Sequence, residues 1–536
     1  MSGQQINDRS EAYREPPELV ERLESAELVG MTLSVWADVQ PDAVCVVDPD
    51  GTRHSFAEVN ANANRIVRML RDAGLQPGNA VALVCSNRAE FVEVTAATMR
   101  AGWRLTPVNW HLTAEEIAYI VTNCEAKAVF IDTVVTSADQ VVNNVSVSMS
   151  VSIGEPLSGC HAYGTELARF SGADIEDPQV GNLMLYTSGT TGRPKGVLRE
   201  APVLQMPQYY DPRRYDRSTA VQMCPGPAYH AAPFLSDLRS AMGVGIPLVF
   251  TPRWNSETIL ATIQAWKVTH MHMVPIMFQR LLALPEEVRA RYDVSSVVSI
   301  LHGGAPCPTD VKRAMIGWFG PVLDEYYGAS EGGSGFFIGS AEWLTKPGSV
   351  GKKPALLGSR ILDEHNRECA AGVEGRIFQE VPPNAGFSYF KDPEKTNASR
   401  VDGYYTLGDM GYFDTDDYLF LSGRSAETII SGGVNIYPQE IDNVLSSHPA
   451  VADCATVGIP DKEWGEQVKS VVTLRPGFEA SADLAEDILT YASRCLASFK
   501  RPRSIDFVPD LPRSEAGKIK RDKVRERYWQ AHAGNI

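Results

Sequence analysis

Short apolar runs and amphipathic stretches take turns along the first part of the chain. Val44 to Val47 is an apolar run of strand length. Ser55 and Glu58 then stand three apart as a capping pair, and Ile66, Val67 and Leu70 recur at helical spacing until Gly74 closes the pattern. Ala80 to Val84 reads as a buried strand, and Ala89 to Met99 as a helix closed near Gly102. Thr113 and Glu116 form a second capping pair ahead of a helix and the strand run Ala128 to Ile131. Strand and helix patterns in alternation predict a parallel sheet covered on both faces. The Val- and Ser-rich stretch 134–153 carries weak helical signals and predicts a strand with irregular flanks. Leu183 to Tyr186, Ile246 to Phe250 and Val297 to Leu301 predict further strands, and Ser256 to Trp266 a helix.

From about Gly351 the texture changes to short strands separated by Gly and Asp turns, which predicts a small β subdomain. Past Arg424, the segment Val434 to Ile441 predicts the beginning of a helix with Pro438 in its first turn. Strands over Val451 to Val457 and Val468 to Leu474 and a helix from about Leu484 to Leu496 follow. The expected class is α/β. A large N-terminal domain of parallel-type sheets flanked by helices, with the β subdomain, covers residues 1–423, and a small α+β C-terminal domain covers 424–536.

Composition narrows the function classes. A chain of 536 residues is too long for one compact core. A hydrophobic content of 44% with 22% charged residues is that of an ordinary globular protein. The net charge of −16 repels polyanions over most of the surface, which argues against a general nucleic-acid binder. Nine cysteines are odd in number and scattered, with no C-x-x-C pair, so reduced thiols in a cytoplasmic protein are expected. The first residues lack the basic end and apolar run of a signal peptide, and no apolar stretch is long enough to span a bilayer, so no integral membrane segment is expected.

The densest chemistry lies in Tyr186-Thr187-Ser188-Gly189-Thr190-Thr191-Gly192-Arg193-Pro194-Lys195-Gly196-Val197. Glycines let a backbone approach an anion, N–H and hydroxyl groups donate to phosphate oxygens, and a lysine adds a point charge. The stretch follows a predicted strand, at the kind of sheet edge where open α/β folds bind ligands. Its spacing is not that of a Walker loop, since Gly189, Gly192 and Lys195 run G-x-x-G-x-x-K.

As a whole this stretch resembles the AMP-binding signature of the adenylate-forming superfamily, which includes acyl-CoA synthetases, nonribosomal adenylation domains and luciferases. Partner motifs follow in the family's order. Gly303-Gly304-Ala305-Pro306 resembles one wall of its adenine site. Tyr327-Gly328-Ala329-Ser330-Glu331 resembles the Y-G-x-T-E motif, in which the tyrosine lies on the adenine, the hydroxyl approaches the α-phosphate and the glutamate helps hold Mg²⁺. The run ending Leu407-Gly408-Asp409 resembles the T-G-D segment, with Asp409 as the ribose ligand and Leu407 where a threonine usually stands. Arg424 and Gly432-Gly433 resemble the hinge arginine, a ribose and phosphate contact, and the glycine loop along the pantetheine chain. Ala426 stands where the family has a Lys or Asp pivot. Lys518, in Pro512-Arg513-Ser514-Glu515-Ala516-Gly517-Lys518, resembles the lysine of the first half-reaction, and Tyr229-His230-Ala231-Ala232-Pro233 resembles the Y-H-x-x-P segment that borders the acyl pocket in the family.

The resemblance covers roughly Thr32 to Lys520 and is to the fatty-acid and related carboxylic-acid ligase branch. It implies an ATP-dependent acid–CoA ligase. Thr187, Ser188, Gly189, Thr190, Thr191, Gly192 and Lys195 would hold pyrophosphate, Glu331 the Mg²⁺, and Lys518 the carboxylate and α-phosphate. Its partners would be a small carboxylic acid, ATP and coenzyme A, with a homodimer left open. Ala231, Ala232, Gly332 and Gly333 are small, Phe234, Phe336 and Phe337 lie close to them in sequence, and these segments hold no obvious basic residue. A medium or long fatty acid, or a bulky cyclic acid, is therefore expected over acetate and dicarboxylates. A standalone enzyme loading a carrier protein would share every motif, and the lack of a fused carrier domain in the sequence argues mildly against that expectation. A luciferase-type monooxygenase shares the fold but needs a special substrate. A catalytically silent nucleotide-binding relative would fit the changes at Ala426 and Leu407, whereas Lys195, Glu331, Asp409, Arg424 and Lys518 together speak for an active enzyme.

Overall fold

The computed structural model describes residues 16–187, 194–199, 215–354, 357–381, 386–424, 427–431, 434–461, 464–496, 498–514 and 517–533. The expected phosphate-loop residues Ser188, Gly189, Thr190, Thr191 and Gly192, the hinge residue Ala426, and Gly432 and Gly433 lie outside the described residues. Of Arg424 only the backbone is described.

Two eight-stranded sheets share one layer of helices. In the first, Ala80–Val84, Arg104–Pro107, Ala126–Asp132, Met149–Ile153, His161–Ala162 and Asn182–Thr187 run parallel, and Lys195–Arg199 and Phe387–Tyr389 close one edge antiparallel. In the second, Val44–Val47, Gln222–Cys224, Leu248–Phe250, His270–Met273, Ser299–His302 and Leu323–Ala329 are parallel, with Arg53–Ser55 and Gly332–Gly339 antiparallel at the edges. The shared layer is Phe56–Asp72 and Ala89–Arg100. One continuous core joins Val59, Ile66, Phe91 and Val94 of these helices to Val81 and Phe130 of the first sheet and Val46 and Leu248 of the second. A helix between two sheets needs apolar or small residues all round, and Ala89–Arg100 buries nearly every side chain. Outer helices cover the far faces, with Ile117 and Val121 on the first sheet and Ile259, Phe278 and Met315 on the second. Both expected capping boxes form, at Ser55/Glu58 and Thr113/Glu116.

Two local expectations change. Within 134–153, Ala138–Asn144 is a helix and only Met149–Ile153 is a strand. Its buried contacts reduce to Ala138 and Val141, a single i, i+3 pair that leaves almost no periodicity to read. Val434–Ile436 is not helix but a strand, paired antiparallel with Ile429–Ser431, and the helix starts at Pro438.

The β subdomain is a seven-stranded antiparallel sheet that includes Gly375–Glu380, Asp409–Phe413 and Tyr418–Arg424. The last part of the chain forms a smaller five-stranded sheet around the hairpin of Val451–Asp461 and Gly465–Leu474. Ile441, Leu445, Ile488 and Ala492 pack on one face of that sheet and Val524 on the other. Arg521 ties the final helix inward, donating to Asp442 Oδ2 at 2.6 Å and Glu427 Oε2 at 2.9 Å. Among the described residues no helix is long and apolar enough to cross a membrane, and all nine cysteines are free thiols.

Candidate functional site

The strand ends of both large sheets and the last loop of the chain converge on one region. Thr187 and Lys195 face each other in register at the ends of an antiparallel strand pair. Lys195 Nζ donates to Asp392 Oδ2 at 3.0 Å, and Asp392 Oδ1 accepts the Lys395 amide at 3.0 Å, capping the helix Pro393–Ala398. On the neighbouring strand, Tyr389 donates its phenol to Glu331 Oε1 at 3.0 Å. Arg199 donates to the Ser330 carbonyl at 3.2 Å. Ser330 and Glu331, from the second sheet, are thus held by the first sheet's edge.

Tyr327 and Asp409 are brought into direct contact. The Tyr327 phenol donates to Asp409 Oδ2 at 2.7 Å, and the Asp409 backbone pairs with Arg424. Gly328 pairs with Gly333 just past a register shift. Leu407 is absorbed by an apolar cluster with Val197, Phe387, Tyr389 and Tyr405. A hydroxyl is still close by, because Thr406 Oγ1 accepts the Gly408 amide at 3.1 Å.

The loop after the strand Ser299–His302 carries Gly303, Gly304, Ala305 and Pro306. A Cβ on Gly303 would stand 2.6 Å from the Tyr326 carbonyl oxygen, so glycine is required there for packing. Gly304 differs. It has a φ of +75°, and a Cβ would meet only Lys518 Cε at 3.9 Å and Val274 Cγ1 at 4.0 Å. Lys518 therefore stands over Gly304 although the two are far apart in the chain. The turn that brings it there packs tightly, since a Cβ on Gly517 would lie 2.6 Å from Ile276 Cγ2. Arg513 donates to the Gly517 carbonyl at 2.7 Å and pairs with Asp453, which braces the turn from behind.

His230 completes the group. It is largely buried, and its Nε2 has no hydrogen-bond partner among the described residues. Burial, and then the nearby charge of Lys518, lower its pKa to about 4, so the imidazole is neutral at ordinary pH.

Lys518, His230 and Gly304 come together, as do Lys195, Glu331 and Ser330, and Tyr327 with Asp409. Two of the three expected lining aromatics, Phe234 and Phe336, are core residues instead. Phe234 belongs to the large core and touches Phe91, and Phe336 is buried among Val350, Ile361 and Leu419 of the β subdomain. Gly332 leaves little space for a ligand, because a Cβ there would stand 2.9 Å from the Tyr405 hydroxyl. Three residues escaped the sequence reading: Tyr389, Asp392 and Lys395. Asp392-Pro393 is a legible helix start, a capping aspartate before proline, yet nothing in it points to the phosphate loop.

A single carboxylate suits Mg²⁺, which takes one or two protein carboxylates and is otherwise bound by phosphates and water. Glu331 is such a group, oriented by Tyr389. Among the described residues no cluster of three or more His, Cys, Asp or Glu offers a competing metal cage.

The chain belongs to the AMP-binding enzyme family, whose model matches residues 33–383, and the family's C-terminal domain matches 440–518. It is an adenylate-forming enzyme of the acyl-CoA synthetase branch, and hence an AMP-forming acid–thiol ligase. It is 29% identical to an indoleacetate–CoA ligase of Aromatoleum aromaticum, over 92% of this chain and 98% of that protein. It is 28% identical to a fatty acid–acyl-carrier-protein ligase of Streptomyces coeruleorubidus, over 94% of this chain and 97% of the other. An anthranilate CoA ligase in complex with anthranoyl-AMP shares the fold with a TM-score of 0.85 and 23% identity, covering 94% of this chain and 98% of that one.

Proposed function

We propose that the chain activates an apolar monocarboxylic acid, a medium or long fatty acid or a ring-bearing acid, with ATP and transfers the acyl group to coenzyme A. The observation that carries this reading is Lys518 standing over Gly304 beside His230. A cation from the C-terminal part of the chain is thereby delivered to the loop that resembles the adenine wall.

In the first step a carboxylate oxygen bonds to the α-phosphorus of ATP and the bond to pyrophosphate breaks, giving acyl-adenylate. In the second, the thiolate bonds to the acyl carbon and AMP leaves with the bridging oxygen. Lys518 holds the carboxylate and α-phosphate oxygens, whose charge changes most on the way to the transition state. Tyr327 and Gly304 to Pro306 flank the adenine, and Asp409 with Arg424 takes the ribose. Thr187 and Lys195 hold the outgoing pyrophosphate, and the resemblance assigns Ser188 to Gly192 to the same group and Gly432 with Gly433 to the pantetheine. Glu331 would hold Mg²⁺, which when bound neutralises triphosphate charge. Neutral His230 closes the acyl end without adding a positive charge that would compete for the carboxylate.

The apolar acid is supported by the small Ala231 and Ala232 beside His230, and by relatives named for indoleacetate and for fatty acids. A second reading, transfer to a carrier protein, rests on the Streptomyces relative. AMP release in the presence of ATP, a panel of acids and either CoA or a phosphopantetheinyl carrier tests both. CoA-dependent AMP with octanoate, palmitate or an aryl acid, well above acetate, is expected. A clear preference for acetate, or turnover with the carrier alone, would overturn the reading.

A further inference from the structure

Two lysines stand together where the resemblance supplies only one. Lys195 leads off its strand and is held by Asp392 at 3.0 Å. Lys395 lies on the helix that Asp392 caps, and its Nζ sits 4.1 Å from the centre of the Tyr389 ring. The same tyrosine grips Glu331 at 3.0 Å. Lys395 is close enough to both Lys195 and Glu331 to feel their charges. Burial first, and then the like charge of Lys195, lower its pKa, while Glu331 and Asp392 act the other way.

Two ammonium groups side by side repel, and a fold that needed only stability would gain by replacing one of them. An anion with several oxygens placed between them would turn that repulsion into two charge-assisted contacts. The anion that belongs here lies beside Lys195 and close to Glu331, the residue that would hold Mg²⁺. Resting on the function proposed above, we propose that Lys395 is a second cationic holder of the pyrophosphate group, acting beside Lys195. Asp392 holds Lys195 in place until the phosphates arrive, and the Tyr389 ring supports the Lys395 ammonium from behind through a cation–π contact.

The test is titration calorimetry with magnesium pyrophosphate, ATP and AMP on the full chain, for wild type, Lys395→Gln, Lys395→Met and Lys395→Arg, with Tm recorded for each. Pyrophosphate Kd should weaken roughly tenfold or more in the Gln and Met variants, ATP should weaken in the same direction, and AMP should stay within about twofold. Lys395→Arg should recover most of the pyrophosphate affinity. Unchanged pyrophosphate affinity in both neutral variants, equal loss for AMP, or no pyrophosphate binding by wild type would each overturn the proposal. Because no acid is present, the result is independent of the substrate reading. An enzyme that releases AMP with no acid at all would refute that reading while leaving the lysine result standing.

Discussion

Tyr327 donates its phenolic hydrogen to Asp409 Oδ2 at 2.7 Å, joining one large sheet to the β subdomain. A hydrogen bond to an ionised group contributes about 1.5–3 kcal/mol. Part of that is the orientation of the Asp409 carboxylate toward a ribose. Tyr327→Phe keeps the ring and removes the hydroxyl, so ATP and AMP should both bind roughly tenfold more weakly, and by the same factor. Fluorescence or calorimetric titration of the two nucleotides checks this, and a loss confined to ATP would place the pair elsewhere in the mechanism.

Glu331 predicts the opposite pattern. AMP lacks the phosphates whose charge a Mg²⁺ held by Glu331 would neutralise, so Glu331→Gln should weaken Mg-ATP use and leave AMP binding nearly intact. Tyr389→Phe frees the carboxylate from its 3.0 Å hydrogen bond and should act in the same direction with smaller effect. Magnesium titrations of initial rate read both variants. A magnesium dependence identical to wild type in Glu331→Gln would remove that carboxylate from the metal.

The placement of Lys518 separates the two half-reactions. Lys518→Ala should slow acyl-adenylate formation by roughly two to three decades, about 2.7–4 kcal/mol, while thioester formation from pre-made acyl-AMP is largely spared. Gly517→Ala probes the same geometry without touching the lysine. Its φ of +79° and the 2.6 Å clash of a Cβ with Ile276 Cγ2 should push the turn away, so adenylation falls and thioesterification does not. Equal loss of both half-reactions in Lys518→Ala would contradict the assignment.

Much of this arrangement was legible in the sequence where one residue type has one physical job. The capping pairs Ser55/Glu58 and Thr113/Glu116, the apolar run Ala80–Val84 and the helix Ser256–Trp266 formed as expected. The glycines were ambiguous. Gly303 and Gly332 look alike in sequence to Gly304, yet the first two make room for Tyr326 and Tyr405, and Gly304 alone opens toward Lys518. Phe234 and Phe336 follow short motifs by a few residues, but strand alternation and helix rotation turn both into cores. Lys395 and Tyr389 lie far from Lys195 and Glu331 in sequence. Only the antiparallel pairing of Phe387–Tyr389 with Lys195–Arg199 brings them together, and sequence periodicity carries no sign of which strands pair.

Acid should weaken the fold through its buried histidines. Burial lowers His272 to about 3, and burial with the Lys518 charge lowers His230 to about 4, against an ordinary imidazole near 6.5. Above that ordinary value the rings are neutral in both folded and unfolded chains and contribute no pH dependence. Below it the unfolded chain takes up protons that the folded chain refuses, so stability falls as pH drops from about 6.5 toward 4. Denaturation midpoints across that range should decline for wild type and decline less steeply for His230→Gln. A parallel decline in the two proteins would mean that His230 is not held neutral.

In the proposed reaction a carboxylate oxygen bonds to the α-phosphorus of ATP and departs with AMP. Turnover of a carboxylic acid labelled with oxygen-18 in both carboxyl positions tests it directly, with ATP, Mg²⁺ and CoA present and the products read by mass spectrometry. One labelled oxygen should appear in each AMP formed, and none in pyrophosphate. Label in inorganic phosphate, or AMP free of label while acyl thioester accumulates, would contradict the adenylate route.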